Sequence, residues 1–219
     1  LPFLEEMAEM SISAEAKSKF QLAPAFHFTL LINLPNIIEK WELLSKNRVG
    51  DLLREDLSNL EIQRARSERI VAGTNRSLHD FVPLYFGLKT PMLALKQARN
   101  EEIIQLRFPL EILGIQGACF SDGNARDART KLYEFRSVDD LSVLDAKAIN
   151  AVSWGKDEEK KRRKQSEILI PDSLSLDYLI DIICFSESAG QNVKTVLQRF
   201  GKNLKVGVRP GFYFRESRA

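Results

Sequence analysis

Cysteine and histidine are nearly absent from this sequence: Cys119, Cys184, His27 and His79 are the only four in 219 residues. Two cysteines, each inside an apolar run, argue against a disulfide framework and make a reducing compartment the default expectation. With so few soft ligands, and neither HExxH nor paired CxxC, no metal is expected. Neither GxGxxG nor a glycine-rich phosphate loop occurs, which removes the usual signatures of dinucleotide and nucleoside-triphosphate folds. No stretch is long and apolar enough to span a bilayer, and LPFLEEMAEM has no basic segment leading into a signal-like run. The cytoplasm is the simplest expected location, with no membrane partner. A charge excess is missing too: Lys+Arg 32 against Asp+Glu 30 leaves a formal +2, so any electrostatic partner must be met by local clusters.

What is present suits a folded domain. Hydrophobic residues make up 44% and charged residues 28%, enough to bury a core and too apolar for a disordered tail. The expected organisation is an extension over 1–24, where Phe3, Met7 and Met10 recur at helical spacing, and a single domain over 25–219. AFHFTLLI reads as a strand. LPNIIEKWELL reads as a helix with Pro35 in its first turn and Ile37, Ile38, Trp41 and Leu44 on its apolar face. FVPLYFG reads as a strand in which Pro83 indicates an edge, a bulge or a strand start. TPMLALKQARNEE reads as a helix, PLEILGIQ as a strand, WGKDEEKKRRK as a charged linker and SEILIPD as a strand. Strands and helices mix without a regular βαβ repeat, so the class is α+β.

Several residues could carry chemistry. On a strand, His27 shares a face with Ala25 and Thr29, opposite Phe26 and Phe28, which makes a polar pocket suited to a sugar hydroxyl or a carboxamide. A hydrogen-bonded core histidine is the ordinary alternative. His79, in the turn SLHDF, is expected to make a structural hydrogen bond. Glu167 and Leu169 take one face of their strand, and Ile168 and Ile170 the other. That pattern points to burial, where a carboxylate needs hydrogen-bond partners or a role in a cleft; a wet strand edge is the alternative. Arg64, Arg66 and Arg69 in QRARSER, and the run KKRRK over 160–164, could bind phosphates or be solvated charge. The run is too dense for a buried face. Tyr85 could lie against a planar group or pack as a strand tyrosine.

Taken in order, FHFTLLINLPNIIEKWELLSKN, NLEIQRARSERIV, LHDFVPLYFGLKTPML, FSDGNARDARTKLYEF and RRKQSEILIPDS resemble the DarT family of NAD-dependent DNA ADP-ribosyltransferases. The resemblance implies the ADP-ribosyltransferase fold, a split β-sheet core with surrounding helices about an NAD cleft. It implies an enzyme that moves ADP-ribose from NAD+, its co-substrate, to a base of single-stranded DNA, typically a toxin held in check by a cognate antitoxin. On this sequence it makes Glu167 the catalytic glutamate and Arg66 the functional arginine, with Arg64 and Arg69 as alternatives. It places His27, Thr29, Asn33 and Tyr85 at the NAD. Phe81 stands where a tyrosine is common in the DYVP form. Arg126 and Arg129 stand in the loop where some thymine-specific members use a histidine, which leaves guanine and thymine both open. Arg64, Arg69, Arg126, Arg129, Lys161, Arg162, Arg163 and Lys164 are the expected DNA-tracking cations. The rival readings are RNA or protein as acceptor, a non-catalytic nucleic-acid-binding module, and a structural or antitoxin-facing domain with a degenerate pocket.

Overall fold

The structure, a computed structural model, describes residues 11–71 and 73–215. Phe3, Met7 and Met10 of the expected extension lie outside the described residues. The remainder of that extension packs on the body of the protein. Helix α1 (Ile12–Phe20) opens on Ser11, whose hydroxyl accepts from the Ala14 N–H, and stops at Gln21, which turns left-handed at φ 55°. Its Ser13 hydroxyl donates to Glu111 at 2.5 Å and accepts from the Leu110 N–H at 2.9 Å. Ala16 and Leu22 are buried in the main core.

Among the described residues ten strands follow: β1 (Ala25–Leu30), β2 (Glu42–Leu44), β3 (Phe81–Tyr85), β4 (Ile103–Phe108), β5 (Cys119–Ser121), β6 (Leu132–Glu134), β7 (Glu167–Pro171), β8 (Ser173–Ser175), β9 (Asp181–Cys184) and β10 (Val206–Val208). Eight of them form one sheet in the order β10-β9-β4-β1-β3-β7-β5-β6, antiparallel except for β10 on β9; β2 and β8 pair separately. The α+β class holds.

The middle of this sheet is nearly open. β1 pairs with β4 over its whole length, from Ala25↔Phe108 to Leu30↔Ile103, but meets β3 at one registered pair, Phe26↔Tyr85. Pro83 explains the gap. It has no N–H to donate, and its carbonyl accepts from His27 Nδ1 at 2.9 Å instead of from a strand. The proline therefore lies inside the sheet, not at an edge, because a side chain replaces the ladder bond that it cannot make.

The helices are α2 (Leu34–Lys40), α3 (Lys46–Val49), α4 (Leu60–Glu68), α5 (Pro91–Leu95), α6 (Ala146–Asn150), α7 (Glu158–Arg163) and α8 (Glu187–Arg199). None among the described residues is long and apolar enough to cross a membrane. Four segments differ from the sequence reading. The first helix expected after β1 ends at Lys40, because Trp41 adopts φ 59° and its indole donates to Asp177, freeing Glu42–Leu44 to pair with β8. PLEILG forms a 3-10 turn, and the strand is the preceding Ile103–Phe108. The charged linker contains α7, capped by Asp157 through the Lys160 N–H, with acids in its first turn and cations in its last. The helix opening at Thr90 is real but lasts only to Leu95.

β7 shows the expected two faces. Ile168 and Ile170 enter the main core with Leu84, Phe86 and Phe108, while Leu169 packs with Val71, Leu78 and Phe81 on the other side. Both sets are fully buried, so truncating Ile168 to alanine would cost about 2–5 kcal/mol. The rigid strand presents its first residue, Glu167, at the seam between the two halves of the sheet.

A candidate active site at the split in the sheet

The parting of β1 and β3 opens a cleft of about 490 Å³, lined by residues that include His27, Thr29, Arg66, His79, Tyr85 and Glu167. Glu167 is 1% exposed and sits opposite Tyr85 in the strand register. Burying its charge costs free energy unless partners replace water, and they do. Oε1 accepts from the Ala125 N–H at 3.0 Å and Oε2 from Arg66 Nη1 at 3.0 Å. A carboxylate has about four acceptor positions, so room remains for a substrate hydroxyl.

Arg66 comes from the last turn of α4, which Asn59 caps through the Ile62 N–H. Of the three arginines left open by sequence, it alone meets Glu167. Burial works against its charge, yet the Glu167 carboxylate holds the guanidinium pKa above its ordinary value. Its Nη2 is buried without a partner. Arg64 points outward to Glu68 at 3.0 Å, and Arg69 donates to the Thr130 carbonyl at 2.9 Å.

Ala125 belongs to the loop between β5 and β6, and a buried clamp holds that loop. Arg162 donates to Asp122 at 2.9 Å and to Thr130 at 2.8 Å, while its other nitrogens hold Glu159. A Cβ on Gly123 would collide with this guanidinium, so any larger residue there must displace a side chain that Asp122, Thr130 and Glu159 hold in place. Ser121 completes the clamp, donating to the Gly123 carbonyl at 2.6 Å and accepting from the Glu167 N–H at 3.0 Å.

His27 keeps one nitrogen for the site. Since Nδ1 donates to Pro83, and burial lowers the pKa of the ring, Nε2 is an unprotonated acceptor. Tyr85 stacks on Phe28 with centroids 5.4 Å apart, and burial followed by the nearby Glu167 charge pushes its phenol pKa up.

Asn33 lines the cleft. Buried at 3% exposure, it donates to Thr29 Oγ1 and the Glu55 carbonyl and accepts from the Arg54 and Glu55 N–H groups. All four side-chain hydrogen-bond positions are used, so the side chain fastens the 54–55 segment of the cleft wall.

The basic run divides. Lys161 lines the cleft and pairs with Glu158 at 3.3 Å; Arg163 bonds Glu159 at 2.8 Å. Arg162 and Lys164 are buried, against the expectation of a solvent-facing run. Arg162 is the loop clamp, and Lys164 Nζ donates to the carbonyls of Ile149, at 3.0 Å, and Ala151. Neither can track phosphates. Burial, then Lys160 and Lys89, bring the Lys164 pKa down to about 8. In the loop, Arg129 is bound to Asp127, whereas Arg126 is exposed, lines the cleft and has no ion-pair partner among the described residues.

His79 departs from the structural role expected of it. Its backbone N–H bonds Ser77, but its ring Nε2 is buried without a partner. Asp56, a cleft residue that the sequence reading does not name, accepts from Lys46, Gln63 and the Ser58 N–H. Its spacing from the other site residues carried no signal. Among the described residues no cluster of His, Cys, Asp and Glu could hold a metal ion.

A family model described as ssDNA thymidine ADP-ribosyltransferase, DarT, matches residues 26–214. A DNA ADP-ribosyl transferase of Thermus sp. strain 2.9 is 26% identical over 201 residues, covering 87% of this chain and 96% of that protein. Another, of Escherichia coli O127:H6, is 30% identical over 158 residues, 66% of this chain and 72% of its own. The structure of Thermus sp. 2.9 DarT in complex with ADP-ribosylated ssDNA superposes with a TM-score of 0.81 at 24% identity, covering 87% of this chain and 96% of that one. That likeness establishes the fold.

Proposed function

Because the chain belongs to the DarT family of ssDNA thymidine ADP-ribosyltransferases, we propose that the cleft binds NAD+ over the split in the sheet and that Glu167 and Arg66 direct ADP-ribose onto a thymine. The protein is an NAD-dependent DNA ADP-ribosyltransferase. The observation that carries the assignment of roles is the buried Arg66–Glu167 pair on the cleft wall.

In this reading Glu167 accepts a hydrogen bond from a hydroxyl of the nicotinamide-side ribose. Its negative charge offsets the positive charge that grows at the ribose C1′ as nicotinamide leaves. The Ala125 N–H and Arg66 hold the carboxylate still, so little reorganisation accompanies the reaction. His27 Nε2 accepts from the ribose or the carboxamide, Thr29 lines the same wall and Tyr85 flanks the nicotinamide. Arg66 Nη2 donates to an oxygen of the incoming base. Arg126 and Lys161 guide the DNA phosphates at the mouth. Single strands suit this task, since the target base need not be pulled from a duplex.

The Thermosipho africanus relative is a DNA ADP-ribosyl transferase fused to a DNA ADP-ribosyl glycohydrolase. That fusion supports a toxin whose cognate antitoxin removes the ADP-ribose.

Intact-mass measurement of single-stranded oligonucleotides, each holding one kind of base and incubated with protein and NAD+, tests the reading. It expects a gain of one ADP-ribose on the thymine oligonucleotide and none with Glu167→Ala. A gain only on guanine would overturn the base assignment. Nicotinamide release with no DNA adduct would move the acceptor to RNA, protein or water. Binding with neither release nor adduct would leave a non-catalytic module.

A further inference from the structure

Glu167 is held by two elements that are far apart in the chain: Arg66, in the last turn of α4, bonds Oε2, and Ala125, in the β5–β6 loop, bonds Oε1. The direction of the carboxylate therefore depends on α4 and the loop keeping their mutual places. A further bond joins them away from the carboxylate. Arg69, three residues after Arg66 and the C-cap of α4, donates from Nη2 to the Thr130 carbonyl at 2.9 Å. Thr130 is 2% exposed, and its hydroxyl accepts from Arg162 Nη1 at 2.8 Å. Each of its two oxygens thus takes a guanidinium, one from α4 and one from α7.

Both ends of this link are themselves fixed. The Arg69 carbonyl accepts from the Leu78 N–H at 3.0 Å, and Ile70 bridges to Ser77, so the chain leaving α4 is pinned to the turn before β3. Across the base of the loop, the Asp122 N–H donates to the Lys131 carbonyl at 3.2 Å and the Lys131 N–H to Asp122 Oδ1 at 3.0 Å. Inside it, the Thr130 N–H donates to the Asp127 carbonyl and the Asp127 N–H to the Asn124 carbonyl, each at 2.9 Å. A shift of Thr130 is handed on through these two turns to Ala125, which is buried in one cluster with Val71, Leu78 and Leu169. A guanidinium suits such a link, since its planar fork keeps its donors in fixed directions. Arg69 Nε is buried, so the side chain lies along the protein and not in solvent.

We propose that Arg69 and Thr130 are positioning residues for Glu167, a role that rests on the transferase reading above and deepens it. Neither touches substrate. Their bond keeps α4 and the β5–β6 loop in one alignment, and through it the Arg66 guanidinium and the Ala125 N–H meet the carboxylate from two sides at once. Weakening the link lets the loop drift from α4, so that the carboxylate loses a donor or turns from the ribose. A displacement of about 1 Å at a reacting centre costs about 100-fold in rate, so a bond set back from the chemistry reaches it through geometry alone. Arg69 thereby acts within the fold, unlike Arg126, which lies exposed at the cleft. Removing Arg69 changes the rate of the reaction and not the number of phosphates that DNA binding neutralises.

The test uses Arg69→Met, which keeps the apolar stem and removes the donors, and the pair Thr130→Val and Thr130→Ser, which remove and keep the hydroxyl. In Arg69→Met and Thr130→Val, kcat for transfer should fall by about 10- to 100-fold while KM for NAD+ stays within about threefold of wild type; Thr130→Ser should keep most of the rate. Amide exchange, followed without substrate, should accelerate at Ala125 and along 124–130 in the first two variants and stay unchanged in β1 and β4. The slope of log DNA affinity against log salt should match wild type in Arg69→Met. An unchanged kcat, exchange that accelerates evenly over the whole protein, or a slope lower by about 0.7 would each overturn the proposal, the last because it would make Arg69 a phosphate contact. Should Arg69→Met fail to fold, the Thr130 pair decides by rate and by exchange. A wild-type protein that never modifies DNA would strike at the function instead, and exchange at Ala125 would still judge the alignment.

Discussion

Arg66 and Glu167 stand 101 positions apart in the chain and 3.0 Å apart in space, joined across a cleft wall where neither side chain has appreciable contact with water. Removing one partner strands the other charge, which typically costs about 3–5 kcal/mol. Arg66→Ala is therefore expected to lower unfolding free energy by an amount in that range, read by urea denaturation. Glu167→Gln keeps the shape and one acceptor oxygen, but sets its amide NH2 against a donor and leaves the Arg66 charge without its counter-ion. It should lose stability on the same scale, about 3–5 kcal/mol, and lose transfer by about 100-fold or more.

Gly123→Ala pushes a methyl group into the Arg162 guanidinium. Overpacking of this kind costs about 1–3 kcal/mol. Because the same loop supplies the Ala125 N–H to Glu167, transfer should fall as well. Arg163→Ala, one residue from the clamp, should leave unfolding free energy within about 0.5 kcal/mol of wild type; a larger loss would show that its surface ion pair with Glu159 carries more than such pairs usually do.

Lys164 gives the fold a pH dependence of known sign. Its pKa in the folded state is lowered to about 8 from the ordinary 10.5, so between these values the unfolded chain holds more protons. Unfolding free energy then rises with pH across this window, and the contribution is lost as pH falls through 8. Relative to Lys164→Met, the wild-type protein should gain up to about 3 kcal/mol between pH 8 and pH 10.5, measured by denaturant titration at each pH.

Asn33→Ala removes four hydrogen bonds that fasten the 54–55 segment. Amide exchange at Arg54 and Glu55 should accelerate, with a loss of about 1–3 kcal/mol in stability. An unchanged exchange rate at these two amides would reject the fastening role.

Arg126→Ala should weaken single-stranded DNA binding nearly equally for all sequences. It should also lower the slope of log affinity against log salt by about 0.7, the value for one phosphate contact on a single strand. Fluorescence anisotropy at several salt concentrations reads both quantities.

Glu167 shows how far the sequence could be read. SEILIPD announced a strand with two apolar faces, and a carboxylate so placed had to find partners. What it could not announce was their identity, since Arg66 and Ala125 arrive from distant segments. The basic run misled for a related reason. Density of charge suggests solvent, but Arg162 and Lys164 find carboxylates and carbonyls that only the tertiary fold delivers. Trp41 broke an otherwise regular helical pattern through contacts with residues 176 and 177, which local periodicity does not contain. His79 looked like a turn residue because its neighbourhood in the chain says nothing of α4 above it.

The two halves of the sheet, joined at Phe26↔Tyr85, are interleaved along the chain: β1, β4, β9 and β10 build one, and β3, β5, β6 and β7 the other, with four crossings between them. No single cut divides the protein into its halves. During synthesis, Arg66 leaves the ribosome long before Glu167, and β9 and β10, which complete the opposite half, come after it. For an enzyme that marks DNA, the order of synthesis is thus also an order of assembly, in which Glu167 emerges only after β1 and β3, the strands on either side of the split, have been made.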